Sequence, residues 1–126
     1  MVIFLGDTSL DNAARFLGGV LRRLRLAFDY VPSHASPKAA WFKKRQRLFI
    51  VSDYPSNRFT DDQYHAIASQ VGAGAGFLMI GGWSSYRGLG GGYQKTLLGE
   101  VLPVRCLSRD DRVQGAPSYR MVRNLQ

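Results

Sequence analysis

An α/β fold built on a mainly parallel sheet is predicted by three features of the sequence. Val2–Leu5, Leu48–Val51 and Phe77–Ile80 are short, continuously apolar runs, each followed by glycine, serine or aspartate, as expected of strands buried on both faces. A fourth run, Ala27–Val31, has the same length but carries Asp29, so it is expected to be less buried. Segments with helical spacing separate these runs, and strands alternating with amphipathic helices imply a parallel sheet with helices on both faces and right-handed crossovers.

Taken in order, Val2–Leu5 is the first strand, closed by Gly6-Asp7-Thr8. Ser9 is placed to cap a helix in which Leu10, Ala13, Ala14, Leu17, Val20, Leu21 and Leu24 recur on one face. The cations Arg22, Arg23 and Arg25 fall at its C-terminal end, where they complement the helix dipole. After the Ala27–Val31 strand, Ser36-Pro37 suggests a short helix from about Pro37 to Arg45, anchored by Trp41 and Phe42. Leu48–Val51 is the third strand. The next helix has the clearest start in the chain: Thr60 as N-cap, Gln63 as its capping-box partner, and Phe59 with Tyr64 in the two hydrophobic-staple positions. Tyr64, Ile67, Ala68 and Val71 form its apolar face, and Gly72 is the expected stop.

The fourth strand, from Gly76, is expected to be buried on two faces and runs into Gly81-Gly82. A glycine pair at the end of such a strand allows a sharp turn or a close approach, and ligands of open α/β sheets bind at that edge. Beyond it, Gly88 and Gly90-Gly91-Gly92 read as a flexible surface loop, and Trp83, Tyr86 and Tyr93 as aromatic cover for the strand ends. Thr96–Glu100 is expected to form a helical turn and Val101–Cys106 an edge strand, since Pro103 cannot donate to a central ladder. From Ser108 to Gln126 there is no periodicity, and no further element is evident to close the sheet.

Composition bounds the function. A chain of 126 residues fits one domain, and no segment approaches the ~20 apolar residues of a membrane span. Met1 leads straight into Val2–Leu5 without a basic region or cleavage site, so no signal peptide is expected. The single cysteine, Cys106, excludes an internal disulfide, and together these features point to the cytoplasm. The net charge of +8 permits non-specific contact with polyanions. It is split evenly between the two halves of the chain rather than gathered in a stripe, so nucleic acid is not the expected partner, and neither is a membrane. His34 and His65 have no ligand-like spacing, so neither a metal nor another cofactor is expected.

In order along the chain, Phe4-Leu5-Gly6-Asp7, Ser52-Asp53-Tyr54-Pro55, Gly76 to Trp83, Gly90 to Tyr93 and Leu102-Pro103-Val104 resemble the class I glutamine-amidotransferase-like superfamily, and within it the uncharacterised putative glutamine amidotransferase branch. The similarity covers roughly residues 2–126 as a single domain. It implies a flavodoxin-like three-layer α/β fold. Members of the branch continue past the point where this chain ends, so the sequence is expected to match the first part of a family domain. In active members a Cys-His-Glu triad hydrolyses glutamine, with the nucleophile on a strained strand-to-helix turn. The matching turn here is Ile80-Gly81-Gly82-Trp83, which holds no nucleophile; no histidine follows His65, and the single glutamate is Glu100.

Glutamine hydrolysis by that triad is therefore not expected. Cys106 reads as a small buried hydrophobe rather than a displaced nucleophile. Asp7 and Asp53 each follow a strand at the edge that carries Gly81-Gly82, and either binds a polar ligand or caps a turn. With them, Tyr54, Gly81, Gly82, Trp83, Ser84 and Ser85 make up the candidate ligand-binding set. The first reading is a triad-less binding or assembly module for a small molecule; the alternative is a hydrolase acting on a small polar or sugar-like substrate through the edge carboxylates. An unclosed sheet also predicts a homo-oligomer.

Overall fold

A computed structural model describes residues 1–109 of the chain. Four parallel strands, β1 (Val2–Gly6), β2 (Phe28–Val31), β3 (Leu48–Ser52) and β4 (Gly76–Ile80), form one sheet in the order β2-β1-β3-β4. The register pairs Phe4 with Tyr30 on one side and Ile50 on the other, and Ile50 in turn with Leu78. This is the α/β architecture expected, with the strand order of a flavodoxin-like sheet.

The sheet separates two apolar cores. Helix α1 (Ala14–Arg23) lies on one face, over Val2, Phe4 and Ile50, with Ala14 and Leu21 buried against them. The short α2 (Ala39–Phe42), α3 (Asp61–Gly72) and the later α4 (Leu97–Val101) lie on the other. There Ile3, Leu5, Phe49 and Val51 meet Phe42, Tyr64, Ile67 and Leu98. Alternation along each strand sends successive side chains to opposite faces, which is why β1 and β3 serve both cores.

Helix α3 starts as its sequence predicts. Thr60 Oγ1 accepts the Gln63 N–H, and the Gln63 side chain takes the Thr60 N–H at 3.0 Å. Phe59 and Tyr64 pack with ring centroids 5.2 Å apart. Gly72 is not the stop. The helix runs through it, and the left-handed residue is Gly74 (φ +98°), where Gly74 N–H reaches Val71 O and Ala75 N–H reaches Gln70 O in a Schellman closure.

Four further expectations are corrected. Ser9 does not cap α1: residues 10–13 form turns, the helix begins at Ala14, and Asp7 O accepts the Ala14 N–H at 3.0 Å. The left-handed backbone at Asp7 and Thr8 leads the chain into the turn instead, while Leu10 still packs on the α1 core. The second helix is one turn, Ala39–Phe42, rather than the longer span expected from Pro37 to Arg45. Strand β4 is not buried on two faces, and it is the last strand of the sheet among the described residues: Phe77 and Met79 pack on the α3 side, whereas Leu78 and Ile80 are 43% and 36% exposed on the α1 side. Residues 102–106 form no strand; α4, capped by Thr96, gives way to bends through Pro103. The stretch beyond Arg109 lies outside the described residues.

Candidate functional site

The carboxyl ends of β1, β2 and β3 converge through one serine. Ser33, just past β2, accepts the Thr8 N–H at 2.7 Å on its Oγ and donates that hydroxyl to Asp53 O at 3.1 Å. Its own N–H reaches Thr8 O at 3.2 Å. Ser52 completes the link, accepting the Asp7 N–H on its carbonyl at 2.6 Å and donating Oγ to Asp7 Oδ2 at 3.3 Å. Sequence reasoning did not single out Ser33. Its only signal was a position after Pro32 at the end of a strand, and the contacts it makes lie 20 and 25 residues away.

This edge holds unusual backbone. Asp7 (φ 55°), Thr8 (φ 62°) and Asp53 (φ 42°) all adopt the left-handed region. For a β-branched residue such as Thr8 this is a true outlier, and such conformations persist only where the surroundings over-determine them. The bonds from Ser33 and Ser52 provide that constraint.

The glycine turn after β4 is held by Asp53. Its Oδ1 accepts the Ser84 N–H at 2.5 Å, and the Asp53 N–H reaches Ile80 O at 3.3 Å. A Cβ on Gly82 would lie 2.3 Å from the Asp53 carboxyl carbon, so only glycine admits the carboxylate here. Ser85 is buried, donating Oγ to Ile80 O at 2.9 Å. The loop beyond is more ordered than expected: Arg87–Gly88 (β5) and Gly91–Gly92 (β6) pair as an antiparallel ribbon turned at Leu89-Gly90. Gly88 packs so tightly that a Cβ there would overlap Trp83 O.

The eight residues singled out from the sequence thus separate. Asp7, Asp53, Gly81, Gly82, Trp83 and Ser84 lie at or next to the surface of the edge, with Trp83 63% exposed. Tyr54 is withdrawn into the core, its hydroxyl donating to Ala35 O at 2.6 Å while its carbonyl takes the buried Tyr93 hydroxyl at 2.7 Å. Burial pushes the phenols of both tyrosines well above their ordinary range. Ser85 is likewise closed off from solvent. Tyr93 therefore covers the strand ends as expected, whereas Trp83 is largely exposed.

Near Asp7, Tyr30 donates its hydroxyl to Gly6 O at 3.0 Å, and its phenol is pushed up to about 12 by burial, then by the negative charges of Asp7 and Asp11. Cys106 is half-buried, packs against the α3-side core and lines a cavity of about 380 Å³ with Glu100 and Arg105; burial raises its thiol. His34 and His65 are both exposed. Among the described residues, no group of three or more His, Cys, Asp or Glu is placed to hold a metal ion, and no helix is long and apolar enough to cross a membrane.

No curated protein matches the chain. A family model described as putative glutamine amidotransferase matches residues 5–122, which takes in the strained Asp7 turn, Asp53 and the whole glycine loop. That match spans nearly all of the sequence and agrees with the parallel sheet and the glycine turn at its carboxyl edge, so the chain belongs to the putative glutamine amidotransferase family.

Proposed function

We propose that this amidotransferase-like domain works without the Cys-His-Glu triad, as a binding module for a small polar molecule at the carboxyl edge of the sheet. The observation that carries the reading is the turn at Gly81-Gly82. In place of a nucleophile it has two glycines, and the space beside Gly82 is filled by the Asp53 carboxylate. Cys106, the one thiol in the sequence, sits instead in the segment after α4, against the α3-side core, with its pKa raised rather than lowered. A nucleophilic thiol needs the opposite shift. The groups the edge does offer are the Asp7 and Asp53 carboxylates, the Thr8 and Ser84 hydroxyls and the exposed Trp83 ring. Carboxylates accept hydrogen bonds from hydroxyl and ammonium groups, and an exposed indole covers an apolar or sugar-like face. The ligand class this favours is a small polyol or amine.

The test is a thermal-shift screen of polyols, sugars and small amines against the wild type, Asp7→Asn and Asp53→Asn. Both substitutions keep the side-chain shape and remove the charge. Stabilisation of the wild type by one such class, weakened at least tenfold in apparent affinity in Asp7→Asn, is the expected result. Ammonia release from glutamine that survives Cys106→Ser would overturn the reading by revealing a working hydrolytic site without the thiol, and release abolished by Cys106→Ser would overturn it by making Cys106 the nucleophile.

A further inference from the structure

A second concentration of chemistry lies at the amino ends of the strands, at the other end of the sheet from Asp7 and Asp53. Arg47 joins the starts of β1 and β4 there, its N–H reaching Met1 O at 2.8 Å and its carbonyl accepting the Gly76 N–H at 2.9 Å. Just before it, between the short α2 and the C-terminal end of α3, is a cavity of about 440 Å³ lined by Lys43, Lys44, Arg45, Gln46, Gln70 and Ala73. Three consecutive cations border this cavity and no carboxylate does. The sequence around it is one-sided in the same way: residues 38–47 carry five Lys or Arg, and residues 30–52 contain no Asp or Glu.

Cations near the C-terminal end of a helix ordinarily answer its free carbonyls. Here glutamines do so. Gln46 Nε2 donates to Trp41 O at 2.8 Å and Gln70 Nε2 to Phe42 O at 3.0 Å, while Gln70 Oε1 takes the Gln46 N–H at 2.7 Å. The last turn of α3 is closed by its own backbone, through Ala73 N–H to Ser69 O and Gly74 N–H to Val71 O. The three cations are thus not needed at the helix ends. Because Trp41 O fixes the amide orientation of Gln46, its Oε1 can only accept a hydrogen bond. Gln46 is 3% exposed, and that oxygen has no hydrogen-bond partner among the described residues. A buried acceptor without a donor is unfavourable, and a ligand hydroxyl supplies one.

We propose that this cavity binds a small hydroxylated phosphate ester, with the phosphate held by Lys43, Lys44 and Arg45 and a hydroxyl donated to Gln46 Oε1. Ammonium and guanidinium groups meet phosphate oxygens in charge-assisted hydrogen bonds, and the volume falls within the ~300–1,000 Å³ of small-molecule pockets. An extended nucleic acid is the poorer occupant, since the cations gather around one cavity rather than along a track. The site is independent of the ligand reading at the carboxyl edge.

Isothermal titration of the full chain with glucose 6-phosphate and with glycerol 3-phosphate is expected to show one site for at least one of the two esters. Lys43→Gln/Lys44→Gln, at two exposed positions, should weaken that binding at least tenfold with unchanged circular dichroism. Arg15→Gln/Arg23→Gln, which removes the same charge from exposed positions on α1, should leave it within twofold. Inorganic phosphate, which has no carbon-borne hydroxyl, should bind at least tenfold more weakly than the ester. Failure of both esters to bind overturns the proposal. So does an equal loss in the two double variants, which would reduce the effect to net charge, or inorganic phosphate binding as tightly as the ester. A single-stranded RNA oligonucleotide that binds more tightly than either ester and is lost in Lys43→Gln/Lys44→Gln overturns it in favour of a nucleic-acid contact.

Discussion

The Asp53 carboxylate accepts the Ser84 N–H at 2.5 Å across 31 residues of sequence, and this bond ties the end of β3 to the turn that follows β4. Asp53→Asn retains a side-chain oxygen acceptor and tolerates the left-handed backbone at φ 42°, but it gives the Ser84 N–H a neutral partner in place of a charged one, so it is expected to cost about 1 kcal/mol. Asp53→Ala leaves the Ser84 N–H without that acceptor and is expected to cost about 1.5–3 kcal/mol, the range for a hydrogen bond to a charged group. Gly82→Ala should be comparably damaging, because its Cβ and the Asp53 carboxylate occupy the same space. Urea unfolding of the three variants checks the order.

Alkali should weaken the fold through its tyrosines. Burial raises the phenols of Tyr30 and Tyr64 from the ordinary 10.0 to about 12, with the Ser56 side chain partly opposing the shift at Tyr64. The unfolded chain releases these protons near pH 10, while the folded chain holds them to about pH 12. Their contribution is therefore fully present below pH 10 and is lost as pH rises through 12. Thermal midpoints measured from pH 9 to 12 should fall beyond pH 10, and Tyr30→Phe should make the fall shallower. A flat profile to pH 11 would contradict the assignment.

Arg25 is expected to be a site where glycine is better than the native residue. It sits at φ 55° directly after the α1 C-cap, with Leu26 N–H reaching Leu21 O and Arg25 N–H reaching Arg22 O. That closure is the same one Gly74 makes after α3, there with the residue type that carries no steric penalty. Arg25→Gly should stabilise the chain by up to about 1 kcal/mol, part of the relieved strain being offset by the greater freedom of glycine in the unfolded state. A lower thermal midpoint for this variant would show that the Arg25 side chain contributes more than its backbone costs.

Much of this fold is local in origin and was readable for that reason. The apolar runs became the four strands, and Thr60, Gln63, Phe59 and Tyr64 fixed the start of α3 through contacts within five residues. The errors arise where a distant group decides. Ser9 has the chemistry of an N-cap, but the route into α1 is set by left-handed Asp7 and Thr8, which Ser33 and Ser52 hold from two other strands. Gly-Phe-Leu-Met-Ile has the composition of a central strand, and apolar composition alone does not say whether a neighbour lies on each side. For the candidate site, Asp7, Asp53 and the glycine turn were legible because the ends of parallel strands share one edge. Ser33 was not, since nothing nearby in sequence marks the hydroxyl that joins three loops. Tyr54 shares a motif with Asp53 but points into the core, a distinction visible only once the Ala35 carbonyl is in place.

The division of the interior by the sheet has a dynamic consequence. Among the described residues, five buried apolar residues lie on the α1 side against twelve on the other, and α1 supplies Ala14 and Leu21 of the five. Opening energies in a native protein follow how much apolar contact each unit would give up. Helix α1 is thus the layer that can lift away while the rest of the molecule stays intact, and its amides should exchange with deuterium well before those of α3. The chain would then breathe on one side only, with β1 and β3 forming the wall that the motion does not cross.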